Sequence, residues 1–393
     1  MSWQIFSWTT GILLALAWFS RIVEAAIGMP RIADVARPEW DRRPLTAAGE
    51  PRVSIIVPAR NEEADIRATL EGLLALDYFN YEIIAVDDRS SDSTGALMEE
   101  VAAASLAHGR IRVIHVQELP AGWMGKTHAM WTAAEQASGD WLLFTDADVR
   151  FKPDSVRRVV AYAEAEKADH VVLFPRMIIK GWSERMMIAF FQALFVFGHR
   201  PWKVADPGAQ DHMGVGAFNM VRRPVYEAIG TYRALRMEVL DDMKLGKVVK
   251  NAGYAQRNIF GEDLISLHWG KGAFGIVNNL TKNFFAVMSF QWPRTVASVI
   301  ALAFINLGPF LGIWFAHGWS RLPFVIALAS LFGIYWGMSE RSDVPSYYFL
   351  LHPLSTALFM YTLVRSMFHT LWNGGIVWRG TKYALEELRR GMV

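Results

Sequence analysis

The sequence predicts an α/β protein in which a mostly parallel sheet, with helices on both faces, is joined to transmembrane and interfacial helices. Hydrophobic residues crowd the two ends of the chain and leave roughly 49–181 with a soluble composition. Within that stretch short apolar runs alternate with segments of helical periodicity, and acidic clusters stand where the apolar runs stop. The 393 residues are 52% hydrophobic, above the soluble norm, and the formal net charge is only +2, too small an excess to make nucleic acid the partner. No cysteine is present, so disulfides and thiolate metal sites are excluded, and any metal must sit on carboxylates or histidines.

The first element, 1–28, reads as a transmembrane anchor. From Trp3 to Ile27 its only charges are Arg21 and Glu24, and the run is long enough to cross about 30 Å of hydrocarbon. A cleaved signal peptide fits less well, because no cationic region precedes the apolar run and no small-residue cleavage site follows it. Arg21, Arg31, Arg37, Arg42 and Arg43 lie at or beyond its inner end. The positive-inside rule then places the N-terminus outside and the central domain in the cytoplasm, at the inner membrane in a bacterium.

The central domain is expected over 49–262. "RVSIIVPARNEE" opens with a run apolar on both faces, as in a buried parallel strand. A helix over "ADIRATLEGLLAL", the strand "YEIIAVDD", a helix from Ser93 to Ala107 and the strand "RIRVIHV" follow. After the loop "QELPAGWMGK" come a helix from Thr127 to Ala137 and the strand "WLLFTDAD". Sheets of this kind bind ligands beyond the carboxyl ends of their strands, where the polar clusters stand. The first strand-to-helix turn, "PARNEE", lacks G-x-G-x-x-G, and no G-x-x-x-x-G-K-[ST] occurs, so a nucleotide would be held by side chains and a metal ion.

Two amphipathic segments, 182–202 and 274–292, have apolar cores too short to span and read as interfacial helices, with buried core helices as the alternative. The region 295–370 carries three apolar stretches, Thr295 to Ala316, Leu322 to Met338 and Tyr347 to Phe368. Three crossings would put the juxtamembrane tail 371–393, with Arg379, Lys382, Arg389 and Arg390, outside and against the charge rule. The count stays open between two and three, one stretch being re-entrant or flat.

Asp146 and Asp148 in "TDADV" are two residues apart, a spacing that in extended backbone turns both carboxylates toward one cation and Ala147 into the core. With Asp87 and Asp88 they make four carboxylates on neighbouring strand ends, which repel unless a cation or a network of donors sits among them. Helix capping alone is the plainer reading of these residues.

In order, "VSIIVPARNEE", "IIAVDDRSSDST" and "DWLLFTDADV" resemble the signature of family 2 glycosyltransferases, over roughly Arg52 to Gly261. The resemblance implies the GT-A fold, Rossmann-like, and an inverting, metal-dependent hexosyltransferase. It implies that Pro58, Arg60, Glu62 and Asp87 hold the nucleoside, that Asp146 contacts the donor's ribose and that Asp148 holds Mg²⁺ or Mn²⁺. Lys126 then lies near the sugar nucleotide, unless it is a solvated loop lysine. The family's acidic pair at a helix start maps to Asp241 and Asp242 in "EVLDDMKLGKVVKNAGY", with Asp242 in the position of the catalytic base. First-turn acids favoured by the helix dipole would give the same composition. The Q-x-x-R-W motif of processive members is missing and "HWGKGAFGIVNNLTKN" stands in its place, resembling the branch that glycosylates membrane lipids such as ceramides, carotenoids and hopanoids. His268, Trp269 and Lys271 become candidates for the acceptor or leaving-group side, although a Trp at a bilayer is often an interface anchor. "WRGTKY", Trp378 to Tyr383, is similar to the same branch and also fits a basic juxtamembrane anchor.

The expectation is transfer of one sugar from a nucleotide-diphosphate sugar, a UDP-sugar, to a hydroxyl of a membrane lipid at the cytoplasmic interface. A polyprenyl phosphate acceptor, or a non-catalytic membrane binding and assembly module on the same fold, are the alternatives.

Overall fold

The computed structural model describes residues 2–44, 46, 49–104 and 109–392. The chain divides into a sheet unit, Ile32–Ile178 with Lys203–His268 and Val377–Val393, and a helical unit, Met1–Arg31 with Ile179–Trp202 and Trp269–Ile376.

In the sheet unit the chain runs through β1 (Val53–Ala59), α2 (Ile66–Leu74), β2 (Tyr81–Asp88), α3 (Thr94–Ala104), β3 (Ile111–Val116), α4 (Gly125–Gln136) and β4 (Trp141–Phe144). It continues through β5 (Arg150–Phe151), α5 (Ser155–Ala165), β6 (His170–Leu173), β7 (Arg176–Met177), β8 (Asn219–Arg222), α7 (Arg223–Ala228), α8 (Thr231–Ala234), α9 (Asp241–Asn251), β9 (Gln256–Ile259) and β10 (Ile265–Leu267). The unit ends with the hairpin β11 (Gly375–Trp378) and β12 (Thr381–Ala384), whose first two residues belong to the helical unit, and with α15 (Leu385–Arg390). The main sheet has the order β3-β2-β1-β4-β8-β6-β9 and is parallel except at β8, which runs against β4 and β6. β1 lies centrally, with Val53 opposite Tyr81 on one side and Trp141 on the other.

The unbroken apolar run of β1 reflects burial on both faces. Ile55 and Val57 join a core with Leu70, Leu73, Met98 and Val159, while Ile56 joins Ile84, Met130, Ala133, Leu245 and Val249. Each such side chain contributes about 1.5–3 kcal/mol of burial, and the alternation fixes which residues reach the carboxyl edge. The helix expected over Ser93 to Ala107 is seen over Thr94–Ala104, and its last expected residues, 105–107, lie outside the described ones. The helix expected from Thr127 starts two residues earlier, at Gly125, which moves Lys126 from a loop into a first turn.

The helical unit holds α1 (Ser2–Gly28), α6 (Trp182–Gly198), α10 (Gly272–Val287), α11 (Trp292–Leu302), α12 (Gly308–Phe315), α13 (Leu322–Ser339) and α14 (His352–Trp372). α11 and α12 are joined by a π-helical segment, Ala303–Leu307, into one rod. Among the described residues, four helices are long and apolar enough to cross a membrane: Trp3–Arg31, Trp292–Phe315, Gly318–Ser339 and Ser346–Trp372. Gly11 packs on Phe324 and Gly333 on Ile22, so α13 runs in the same sense as α1. The Trp18 indole N–H donates to the Ile305 carbonyl at 2.9 Å and Gly308 packs on Leu14, so the α11–α12 rod runs the opposite way. The His352 ring, at the start of α14, meets Asn306 at 3.1 Å and the Tyr335 hydroxyl at 2.9 Å. Farther along, Phe359 and Leu363 pack with Val299 and Leu302. α14 therefore also runs against the rod, in the same sense as α13.

Candidate active site

Lys126 in the first turn of α4 reaches Asp146 at 2.8 Å and Asp241 at 3.4 Å. Asp241 and Asp242 open α9, and with Lys126, Asp146, Gly216, Asn219 and Tyr232 they line one cavity. The Asp242 carboxylate accepts the Gly216 N–H at 2.9 Å and its own helix's Met243 N–H at 2.7 Å. The structure thus brings Lys126, Asp146, Asp241 and Asp242 together, while Asp87 and Asp148 are not among the residues lining that cavity.

One ammonium faces three carboxylates here. Burial works against the charge on Lys126, but Asp146, Asp241 and Asp242 outweigh it and hold the group protonated well above the usual lysine range. Burial pushes Asp241 up to about 7, with Lys126 opposing and Asp242 and Asp146 adding to the rise. Burial raises Asp242 too, against Lys126 and the two N–H donors. Asp148 rises to about 7 through burial and then through the neighbouring Asp146 and Glu62. Raised carboxyl groups grouped in one cleft are what a catalytic base and a cation site require.

Two expectations need correction. β4 stops at Phe144, and Ala147 and Asp148 form a turn, so the two carboxylates are not aligned by extended backbone. Ala147 is buried as expected. Nor do Asp87 and Asp88 await a metal. Asp87 meets His115 at 3.0 Å and accepts the Ser90 N–H at 3.1 Å, while Asp88 is paired with Arg89 at 2.8 Å, so protein donors neutralise the second strand's end.

Pro58 is the penultimate residue of β1, opposite Val86. Arg60 and Glu62 occupy the turn after it, where the Arg60 guanidinium donates to Thr381 Oγ1 at 2.8 Å and Glu62 pairs with Arg379. His268 is half-buried just past β10. Trp269 and Lys271 belong to the helical unit. There Trp269 stands edge-on to Phe191, with ring centroids 4.6 Å apart, and Lys271 precedes the first residue of α10.

Sequence reasoning missed Gly214, Gly216, Asn219 and Tyr232. A Cβ on Gly214 would stand 1.8 Å from the Asp242 carbonyl oxygen, and one on Gly216 would stand 2.4 Å from Asp146 Oδ2. Backbone blocks any side chain at 214, and one at 216 would displace the Asp146 carboxylate. The signal was the G-x-G in "HMGVGAF". The Tyr232 hydroxyl is buried without a partner.

Among the described residues, no three carboxylates or histidines are grouped so as to hold a metal alone. Asp146 and Asp148 nonetheless fit a divalent ion: burial, and then the neighbouring Asp146 and Glu62, push the Asp148 carboxyl up to about 7, a charge deficit that a cation would relieve.

A mostly parallel sheet with this acidic cleft at its carboxyl edge defines a transferase domain of the GT-A type. Residues 54–242 match Glycosyl transferase family 2, and the chain carries a glycosyltransferase domain of that family. It is 21% identical over 251 residues to the 4,4'-diaponeurosporenoate glycosyltransferase of Staphylococcus haemolyticus, covering 63% of this chain and 65% of that one. It is 32% identical over 117 residues to the undecaprenyl-phosphate 4-deoxy-4-formamido-L-arabinose transferase of Proteus mirabilis, covering 29% of this chain and 34% of the relative. The matches thus span between about a third and two thirds of the length of these curated relatives. The solved mannosyltransferase PcManGT from Pyrobaculum calidifontis, in complex with GDP-Man and Mn²⁺, shares the fold, with a TM-score of 0.56, 20% identity and coverage of 93% of this chain and 99% of that one.

Proposed function

We propose that this protein transfers one sugar from a nucleoside-diphosphate sugar to a hydroxyl of a membrane lipid, with inversion. The convergence of Asp146, Asp241 and Asp242 on Lys126 in one cavity carries this reading. Asp242, its oxygens fixed by two backbone N–H groups, takes the acceptor's proton as that oxygen bonds to the anomeric carbon. The bond from that carbon to the diphosphate oxygen breaks, and its electrons leave with the nucleoside diphosphate. Lys126 puts positive charge beside the departing phosphate, and Tyr232 offers an unused O–H to the sugar. A divalent ion on Asp146 and Asp148 would supply charge neutralisation of the diphosphate. The similarity to carotenoid and undecaprenyl-phosphate transferases supports a lipid acceptor. Membranes containing the protein, incubated with radiolabelled UDP- and GDP-sugars and Mn²⁺, are expected to yield label in the organic phase. No extractable label from any donor would defeat the lipid reading.

The helix directions support a topology of three crossings, α1, the α11–α12 rod and α13, with the catalytic unit cytoplasmic. Since α13 and α14 run the same way, α14 is not a return crossing. Val377–Val393 belongs to the sheet unit, so an even number of crossings must lie between Trp269 and Ile376. Arg379, Lys382, Arg389 and Arg390 then fall on the cytoplasmic side, as the charge rule asks. The natural absence of cysteine permits a direct check. His317→Cys, in the exposed link before α13, is expected to react with a membrane-impermeant maleimide in intact cells, and Lys382→Cys only after permeabilisation. Equal labelling of both in intact cells would overturn this topology.

A further inference from the structure

Three segments of the sheet unit, the turn after β1, the start of α4 and the segment leading to α9, meet one element that the proposed chemistry does not use, the C-terminal hairpin and its short helix. Arg379 and Gly380 form its two-residue turn with φ of 48° and 77°, the left-handed pair that a tight type I′ hairpin needs. For arginine that conformation costs about 1 kcal/mol, and a glycine would serve the turn better. The arginine at the tip donates to the Arg60 carbonyl and pairs with Glu62, in the turn after β1. Two residues on, Thr381 accepts the Arg60 guanidinium at 2.8 Å. The buried hydroxyl of Tyr383 then accepts the Gly125 N–H at 3.0 Å, at the start of the helix whose next residue is Lys126. Gly391 closes on Met237, in the segment leading to Asp241. Arg60 Nε is buried in this cluster without a partner, a guanidinium donor left for a ligand.

Building on the donor reading above, we propose that the hairpin is a working wall of the donor site. Arg379 and Tyr383 are its positioning residues. Arg379 holds Arg60 and Glu62 at the nucleoside end, and Tyr383 holds the first turn of α4, hence Lys126, at the diphosphate end. Strain retained at the tip for the sake of a guanidinium is hard to reconcile with a passive anchor.

The test uses full-length protein in lipid nanodiscs, with UDP and GDP, each with Mn²⁺, as calorimetric probes, and with donor KM and kcat measured for whichever sugar nucleotide turns over. Arg379→Gly relieves the strained turn while removing the guanidinium, so its melting temperature is expected to stay within a few degrees of wild type. Its nucleoside-diphosphate affinity is expected to fall about tenfold, the scale of one lost charge-assisted hydrogen bond, with donor KM rising to match and kcat little changed. Tyr383→Phe is expected to weaken binding about three- to tenfold with the same split. Wild-type affinity in both variants would overturn the hairpin's role alone, as would losses that appear only alongside a collapsed melting temperature. Failure of the wild-type protein to bind either nucleotide would overturn the donor reading, and this inference with it.

Discussion

Asp242→Asn is expected to lower turnover by about three orders of magnitude, within the range for loss of a general base, while donor KM changes little. The asparagine keeps the size of the carboxylate, but its amide cannot accept both the Gly216 and the Met243 N–H groups. A fold cost of about 1–3 kcal/mol follows, to be read from thermal melting and kept apart from the kinetic effect. Nucleoside-diphosphate binding by calorimetry should survive, because Lys126, Asp146 and Asp148 remain in place. The result separates two acceptor chemistries. A lipid hydroxyl must lose a proton as it attacks, so it needs the base. A polyprenyl phosphate arrives already ionised, and the variant would then keep activity within about tenfold of wild type. That second outcome would move the acceptor to the class named for the undecaprenyl-phosphate relative.

Much of the sheet was legible because its signals are local. The doubly buried β1 and the alternation of strands with helices follow from side-chain pattern, and the acidic pair at the start of α9 follows from motif order. The compensation of charge was not. Sequence places Asp87, Asp88, Asp146 and Asp148 on neighbouring strand ends, but only tertiary structure shows His115 and Arg89 neutralising the first two. The role of "HMGVGAF" was equally hidden, since the need for glycine at 214 arises from an approach to Asp242, 28 residues later. The contacts of the C-terminal tail were hidden too, because its partners, Glu62 and Gly125, are more than 250 residues away. Helix direction was hidden as well: hydropathy alone does not show that α13 and α14 run in the same sense, which rests on contacts such as His352 with Asn306.

Asp148→Asn should make the protein more stable and nearly inactive, and the pH dependence of the gain is the diagnostic part. In the folded state burial, with Asp146 and Glu62, lifts the Asp148 carboxyl from 3.8 to about 7. A raised carboxylate favours folding while protonated. Its contribution is complete below about pH 4, is lost as pH climbs toward 7, and leaves a constant penalty above that. The asparagine has no charge to desolvate, so at pH 8 it should melt a few degrees higher than wild type, a gain on the order of 1 kcal/mol after solvent screening. At pH 4 the two curves should coincide. Mn²⁺ with UDP or GDP should raise the wild-type melting temperature at pH 8 and hardly move that of the variant, because the ion's anchoring carboxylate is gone. Transfer activity should fall at least a hundredfold. Stability bought back by deleting a charge, at the expense of activity, is the behaviour of a site held under electrostatic tension for its ligand. A variant that melts below wild type at pH 8 and keeps its activity would show instead that Asp148 serves the turn and not the donor.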